Sequence, residues 1–248
     1  MIDFHTHVLP NIDDGSRSMD MSLAMLAEEY AQGVTEVVAT PHFYAQDMSM
    51  EEFLERRESS LKKLRRQIKS ASEDSDSPYP TLRAGAEVYY FSGIGLADEV
   101  SMLTIEGTNT LLLEMPFGPW SSRVFENVEQ LINRQNLTVV LAHVERYFGY
   151  QKNKSVWEKV FALPVIPQIN SGSFIEKRRL FRRDKTYEFC IEFARKADRL
   201  IIGSDCHNLS NRAPNLKAGR AALEAALGSG VLALADKTAR EVLGNDTY

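Results

Sequence analysis

Residues 138–147 read TVVLAHVERY, an apolar, β-branched run that ends on a histidine before charge takes over. So short a run, rich in valine, reads as a buried strand. The same grammar recurs as IDFHTH at 2–7, EVVATPH at 36–42 and LIIGSDCH at 200–207. All five histidines of the chain, His5, His7, His42, His143 and His207, therefore stand at or just beyond a strand end.

Outward from these anchors, strand-like runs fall at 2–7, 35–40, 82–88, 110–115, 138–142, 165–170 and 199–204. Helical spacing fills the segments between them. Ser18 to Gln32 sets Leu23, Leu26 and Ala27 on one face, and Phe53 to Lys69 sets out Leu54, Leu61, Leu64 and Ile68. Repeated β-α alternation predicts a parallel sheet. Seven units in one domain spanning 1–248 predict an α/β fold, a distorted (β/α)7 barrel with its metal site at the C-terminal ends of the strands. SASEDSDSPYP at 70–80 reads as a flexible loop. Of two basic segments, Arg56 to Lys69 reads as a solvated helix face, while KRRLFRRDK at 177–185 follows a strand end, on the side of the site.

Composition excludes several classes of function. A chain of 248 residues with 44% hydrophobic content buries a full core, and a net charge of -5 leaves no footprint for nucleic acid. Asp3 and His5 occupy the place where a secretory signal needs a basic and then a long apolar segment. No run reaches membrane-spanning length, so a cytoplasmic protein without membrane insertion is expected. Cys190 and Cys206 are too few for a disulfide framework or a thiolate zinc site. Any metal must be held by nitrogen and oxygen.

Residues two apart on a strand point to one side, so His5 and His7 can grip an ion together. Carboxylates end other runs: Asp14 in NIDDG, Glu87 in AGAEVYY, Glu114 in LLLEMPF and Asp205 in GSDCH. A lone glutamate of this kind is most simply a buried or capping polar group. The set His5, His7, Asp14, His42, Glu87, Glu114, His143, Asp205 and His207 is different, because it supplies three divalent ions with three or four ligands each if one carboxylate bridges. Mixed imidazole and carboxylate ligation suits Mn, Fe or Zn. Four carboxylates against three such ions leave a formal excess of +2, suited to phosphate. Arg146 and Arg212 follow His143 and His207 closely and bring guanidinium forks that match phosphate oxygens. Cys206 and Arg212 also fit the C-x5-R spacing of cysteine-dependent tyrosine phosphatases. The intervening HNLSN lacks the glycine that a ring of backbone amides needs, and two candidate ligands bracket the cysteine. Cys206 is therefore expected to point into packing.

The order H-x-H, DDG, TPH, G-x-E, a strand-ending glutamate, AH-x-ER-Y and SD-x-HNL-x-x-R spans residues 2–212. It resembles the polymerase and histidinol phosphatase (PHP) superfamily, and within it the bacterial capsule and exopolysaccharide protein-tyrosine phosphatases. The resemblance implies up to three metals, with manganese dependence. His5, His7, Glu87 and Asp205 would hold one ion, Glu87, Glu114 and His143 a second, and Asp14, His42 and His207 the third, with Asp13 the neighbour open to confusion with Asp14. The expected reaction is hydrolysis of a phosphomonoester by a metal-bridging hydroxide in line with the leaving oxygen, Arg146 and Arg212 holding the nonbridging oxygens. The implied partner is a phosphotyrosine protein, the tail of a bacterial tyrosine kinase of capsule or exopolysaccharide synthesis. Aromatic residues that follow the ligands, Phe43, Tyr44, Tyr89, Tyr90, Phe91, Phe117, Trp120, Tyr147, Phe148 and Tyr150, offer walls for a phosphotyrosine ring. Hydrolysis of histidinol phosphate and an inactive metal-binding PHP module are the competing readings.

Overall fold

The computed structural model describes residues 1–71, 79–151, 154–176 and 184–245. Of the 70–80 stretch and the basic run 177–185, residues 72–78 and 177–183 lie outside the described residues.

The described residues form nine short strands: β1 Ile2–Thr6, β2 Glu36–Ala39, β3 His42–Phe43, β4 Thr81–Ala84, β5 Glu87–Tyr89, β6 Thr110–Glu114, β7 Thr138–Leu141, β8 Ile166–Asn170 and β9 Ile201–Gly203. The third run, 82–88, is broken at Gly85 and Ala86, and beyond the second run, 35–40, Pro41, which has no N–H to donate to a ladder, precedes an additional strand, β3. Hydrogen bonding crosses both gaps, Gly85 N–H donating to Ala39 O at 2.8 Å and Glu87 N–H to Pro41 O at 3.0 Å. Seven units thus become nine strands without a change of path.

All strand pairs are parallel, in the orders β4-β2-β1 and β3-β5-β6-β7-β8-β9. The steps from β2 to β3 and from β4 to β5 carry one group into the other. At the opposite seam β1 meets β9 through the Thr6–Cys206 bridge and two bonds, His7 N–H to Cys206 O at 2.9 Å and Asp205 N–H to His5 O at 2.7 Å. The outcome is a curled, incompletely laddered barrel, in agreement with the distorted (β/α)7 expectation.

Among the described residues seven α-helices flank it: α1 Met19–Ala31, α2 Met50–Ala71, α3 Ser122–Asn133, α4 Lys154–Ala162, α5 Lys185–Lys196, α6 Leu216–Leu227 and α7 Ser229–Val242. Ser18 caps α1 by accepting from Met21 N–H at 3.1 Å. The buried face of α1 is Ser22, Met25, Leu26 and Glu29; of the expected Leu23, Leu26 and Ala27, Leu26 is buried, Leu23 packs partly buried against the core and Ala27 is half-buried. Glu29 turns inward to face Asp3, and hydrophobic spacing cannot foresee a buried acid. The basic face of α2 is also not wholly solvated, because Arg57 is buried, lies 5.8 Å from the Phe53 ring centroid and donates to Gly85 O at 3.2 Å.

Two apolar layers follow from the period of two along a strand. Val37, Ala39, Leu111, Leu113, Val139, Leu141, Ile169 and Ile202 join the large cluster under the helices. Alternate residues, Phe4, Val38, Leu112, Val140, Ile166 and Ile201, form the inner cluster, plugged at the N-terminal end by Ala239, Val242 and Leu243. Continued along each strand, the inner rows turn polar: Leu112 leads to Glu114, Ile166 to Gln168 and Asn170, Ile201 to Asp205. Strand β1 needs a correction to join them. Its register shifts between Asp3 opposite Val37 and Thr6 opposite Ala39, one extra residue on β1. This bulge lets Phe4 and His5 both face inward while Asp3 faces α1.

Candidate metal centre

Glu87, at the start of β5, is the hub. Its Oε2 lies 3.1 Å from His5 Nε2, 3.3 Å from His7 Nε2 and 3.0 Å from His42 Nδ1, and its Oε1 lies 2.7 Å from His143 Nε2. Asp205 Oδ1 closes the first group at 3.6 Å from His5 Nε2 and 3.3 Å from His7 Nε2. Around Glu114, Oε1 is 3.4 Å from His143 Nε2, and Oε2 is 4.0 Å from His42 Nδ1. Asp14 Oδ1 stands 3.5 Å from His42 Nε2 and 3.2 Å from His207 Nε2. All nine residues singled out in the sequence meet here. Three sets have ligand atoms mutually within 4.8 Å: His5, His7, Glu87 and Asp205; His42, Glu87 and Glu114; His7, Asp14, His42 and His207. The first matches the expected grouping. In the second set His42 stands where His143 was expected, and the third gains His7; His143 joins none of the three sets, although its Nε2 faces both Glu87 and Glu114.

Four buried atoms of this cluster have no hydrogen-bond partner among the described residues: His42 Nδ1, Glu87 Oε2, Glu114 Oε2 and His207 Nε2. Buried polar atoms are normally paired. Four orphans within one cluster of imidazoles and carboxylates fit a donor set built for cations.

Local backbone and supporting side chains aim the ligands. Left-handed backbone at His143 (φ 29°) and Asp205 (φ 55°), each costing about 1–3 kcal/mol, turns both side chains into the cluster. Gly15 of the DDG motif packs on His7 so closely that a Cβ would collide with the His7 carbonyl. Asp13 is the residue that the sequence left in the shadow of Asp14. Its Oδ2 accepts from His7 Nδ1–H at 2.7 Å and His42 N–H at 3.0 Å, and its Oδ1 from Gly15 N–H at 2.9 Å. It thereby holds His7 with Nε2 toward Glu87 and Asp205. Gln168 Oε1 accepts from His143 N–H at 2.7 Å and lies 3.2 Å from His5 Nδ1, and Asn170 donates to Asp205 Oδ2 at 2.8 Å. Both were visible only as polar residues on an apolar strand.

Charges divide sharply across the centre. Burial opposes ionisation of Glu87, yet the surrounding imidazoles, His5 first, hold it well below the usual carboxylate range. Glu114 is pushed up to about 8 by burial and by the Glu87 charge. Burial lowers His143 to about 4 against the pull of Glu87. His207 falls to about 3 through burial and the charge on His7. His7 itself stays well above its ordinary value, since Asp13 outweighs the burial cost.

Arg146 and Arg212 converge on Asp205. Arg146 donates to Oδ2, and Arg212 donates to Oδ1 at 2.8 Å. Their side chains remain 37% and 33% exposed, so both reach the mouth. Cys206 points away, fully buried, with burial holding its thiol well above the ordinary value. The aromatic residues separate into two kinds. Tyr147, Phe43 and Trp120 are buried and form no wall of the mouth; the Tyr147 hydroxyl accepts from Met115 N–H at 3.0 Å and lies 3.0 Å from His143 Nδ1. Tyr44 packs 5.2 Å from the His42 ring and 5.5 Å from Tyr89, and Phe117 packs 6.2 Å from His143. A cavity of about 930 Å³ between α4 and α5, lined by Trp157, Phe161, Phe189 and Phe193 among others, holds none of the candidate ligands. Volume alone does not mark the chemistry here.

A curled parallel barrel whose strand ends gather imidazoles and carboxylates under two arginines defines a metal-dependent hydrolase. The chain belongs to the capsular polysaccharide synthesis CpsB/CapC family, whose model matches residues 1–242. It is 28% identical over 228 residues to tyrosine-protein phosphatase CpsB of Streptococcus pneumoniae, covering 88% of this chain and 87% of that protein. It is 27% identical over 256 residues to tyrosine-protein phosphatase YwqE of Bacillus subtilis, covering 100% of this chain and 93% of that protein. A crystal structure from work on YwqE of Bacillus subtilis and CpsB of Streptococcus pneumoniae, described as unique metal-dependent tyrosine phosphatases, superposes with a TM-score of 0.79. It shares 23% identity and covers 100% of this chain and 96% of its own, a likeness of fold. Among the described residues no helix is long and apolar enough to cross a membrane.

Proposed function

We propose that this chain is a manganese-dependent protein-tyrosine phosphatase that acts on the phosphorylated tail of a bacterial tyrosine kinase in capsule or exopolysaccharide synthesis. The observation that carries the reading is the orphaned set His42 Nδ1, Glu87 Oε2, Glu114 Oε2 and His207 Nε2 beneath Arg146 and Arg212. His5, His7, Glu87 and Asp205 would hold one ion, Glu87, Glu114 and His143 a second, and Asp14, His42 and His207 a third. Bound cations would supply a nucleophile by lowering the pKa of water toward neutrality and would offset the charge of the phosphoryl group.

The chain's own residues do the rest. Arg146 and Arg212 present guanidinium groups already directed at one carboxylate, Asp205, and a phosphate dianion would compete for the same donors. Their forks fix the nonbridging oxygens through the transition state. A phenolate leaving group has a pKa of about 10, so little general-acid help is needed. Asp13, Gln168 and Tyr147 hold three of the imidazoles in place and spare the centre reorganisation as charge moves.

The test compares a phosphotyrosine peptide with histidinol phosphate on metal-stripped protein before and after addition of Mn. Metal-dependent turnover that favours the peptide is the expected result. Preference for histidinol phosphate would keep the centre and change the substrate, and no turnover with any divalent metal would leave a binding module.

A further inference from the structure

In the stretch AHVERY, His143 is a candidate ligand, Arg146 a phosphate donor and Tyr147 a support for His143, which leaves one ionisable residue, Glu145, without a part. Its side chain is nonetheless turned inward. Glu145 is 4% exposed, and its Oε1 accepts from Asn170 N–H at 3.2 Å and from the Ser173 hydroxyl at 2.9 Å. Burying a carboxyl group is costly unless it is bonded, and an apolar side chain would fill the space without that cost.

The bonds of Glu145 close a ring of contacts across the ends of β7, β8 and β9. Asn170, the last residue of β8, donates through its side chain to Asp205 Oδ2 at 2.8 Å, and Arg146 donates to the same oxygen. Arg146 directly follows Glu145 in one short 3-10 turn, Val144–Arg146, where its N–H donates to His143 O at 2.9 Å. Glu145 thus ties the turn to β8, and the Arg146 guanidinium ties it to Asp205. A phosphate dianion that draws the guanidinium away from Asp205 removes the second tie, and the first then fixes the point from which Arg146 reaches. His143, at the start of the turn, has supports of its own in Gln168 and Tyr147, so the loss of the Glu145 bonds falls on Arg146. We infer that Glu145 is a positioning residue for Arg146, holding its turn against Asn170 and Ser173 so that the guanidinium stays in reach of the phosphoryl oxygens. This deepens the phosphatase reading and rests on the phosphate role that it gives to Arg146. A misplacement of about 1 Å in such a group can cost about a hundredfold in rate.

Glu145→Leu, Glu145→Gln, Arg146→Ala and the double variant Glu145→Leu with Arg146→Ala are compared, manganese-loaded, by kcat/KM on p-nitrophenyl phosphate and by calorimetric affinity for inorganic phosphate. Glu145→Leu should lower both by about tenfold, and Glu145→Gln, which keeps an acceptor oxygen for Asn170 and Ser173, should recover most of the loss. In the double variant kcat/KM should fall no further than in Arg146→Ala alone, about a hundredfold and not the roughly thousandfold of independent effects. A glutamate that served stability alone would add its loss to that of the arginine. Should Glu145→Leu fail to fold, Ser173→Ala takes its place in the cycle; it removes one of the two donors at a half-buried position and should cost about threefold, again lost in the Arg146→Ala background. Additive losses, native values in a folded Glu145→Leu, or a Glu145→Gln as impaired as Glu145→Leu would overturn the positioning role. Phosphate affinities that follow the expected pattern in a chain that hydrolyses nothing would overturn the phosphatase reading and keep the role of Glu145, whereas a native chain that binds no phosphate would overturn both.

Discussion

Asp13 and Asp14 are adjacent carboxylates with opposite environments, and substituting each separately tests how the centre is built. The Asp13 side chain is 4% exposed and bonds to His7 Nδ1 at 2.7 Å, whereas Asp14 is 65% exposed and faces His42 and His207. In Asp13→Asn the amide group opposite Nδ1 no longer accepts a proton from His7 as a carboxylate does. The imidazole then favours the tautomer with its proton on Nε2, the atom that must be free to ligate. Loss of such a supporting partner costs about tenfold to a hundredfold in metal affinity, or roughly 1.4–2.7 kcal/mol. With Nδ1 held by Asp13, His7 offers one free lone pair, at Nε2, beside Glu87 and Asp205, and would serve only the ion held by His5, His7, Glu87 and Asp205. Asp13→Asn should therefore weaken that ion and spare the one at Glu114, while Asp14→Asn should weaken only the ion at His42 and His207. Titration calorimetry with Mn, supported by metal content after dialysis, reads both the affinities and the stoichiometry. If Asp13→Asn bound every ion as the native chain does, the positioning role argued for it would be wrong.

Other expectations bear on different parts of the molecule. Glu29 is raised from 4.5 to about 10 by burial and by Asp3, so between those values the folded chain keeps a proton that the unfolded chain releases. Stability should fall as pH rises across that window, and Glu29→Gln, which cannot ionise, should show a flatter decline of Tm from about pH 6 to about pH 9; parallel declines would refute the assignment. Cys206→Ser should retain metal-dependent turnover, because a fully buried thiol held far above its ordinary value supplies no thiolate. Loss of turnover with metal content intact would revive the cysteine route. Arg146→Ala and Arg212→Ala should each lower kcat/KM by about a hundredfold with metal content retained, the usual scale for removing a donor to developing charge. Native kinetics in either variant would remove that arginine from the phosphate site.

Much of the centre was legible because strand-ending residues announce themselves. An apolar run that stops on histidine, aspartate or glutamate leaves few alternatives to a buried polar site, and the β-α alternation puts all such ends on one side. Asp13 stayed hidden because two consecutive aspartates look alike until one is buried. Gln168 and Asn170 showed the right period but named no partner, since each reaches across to another strand. Tyr147 looked like a wall of the mouth and proved to be a buried support for His143.

The sequence by itself determined the parallel α/β architecture, the nine candidate ligands and the pair of arginines, because local periodicity and residue chemistry suffice for these. Only the tertiary structure decided which atoms share a group, that a bulge in β1 turns His5 inward, and that Glu29 is buried against Asp3. Those outcomes depend on register and on packing between residues far apart in the chain, and a one-residue shift in either reverses the face on which a side chain lies.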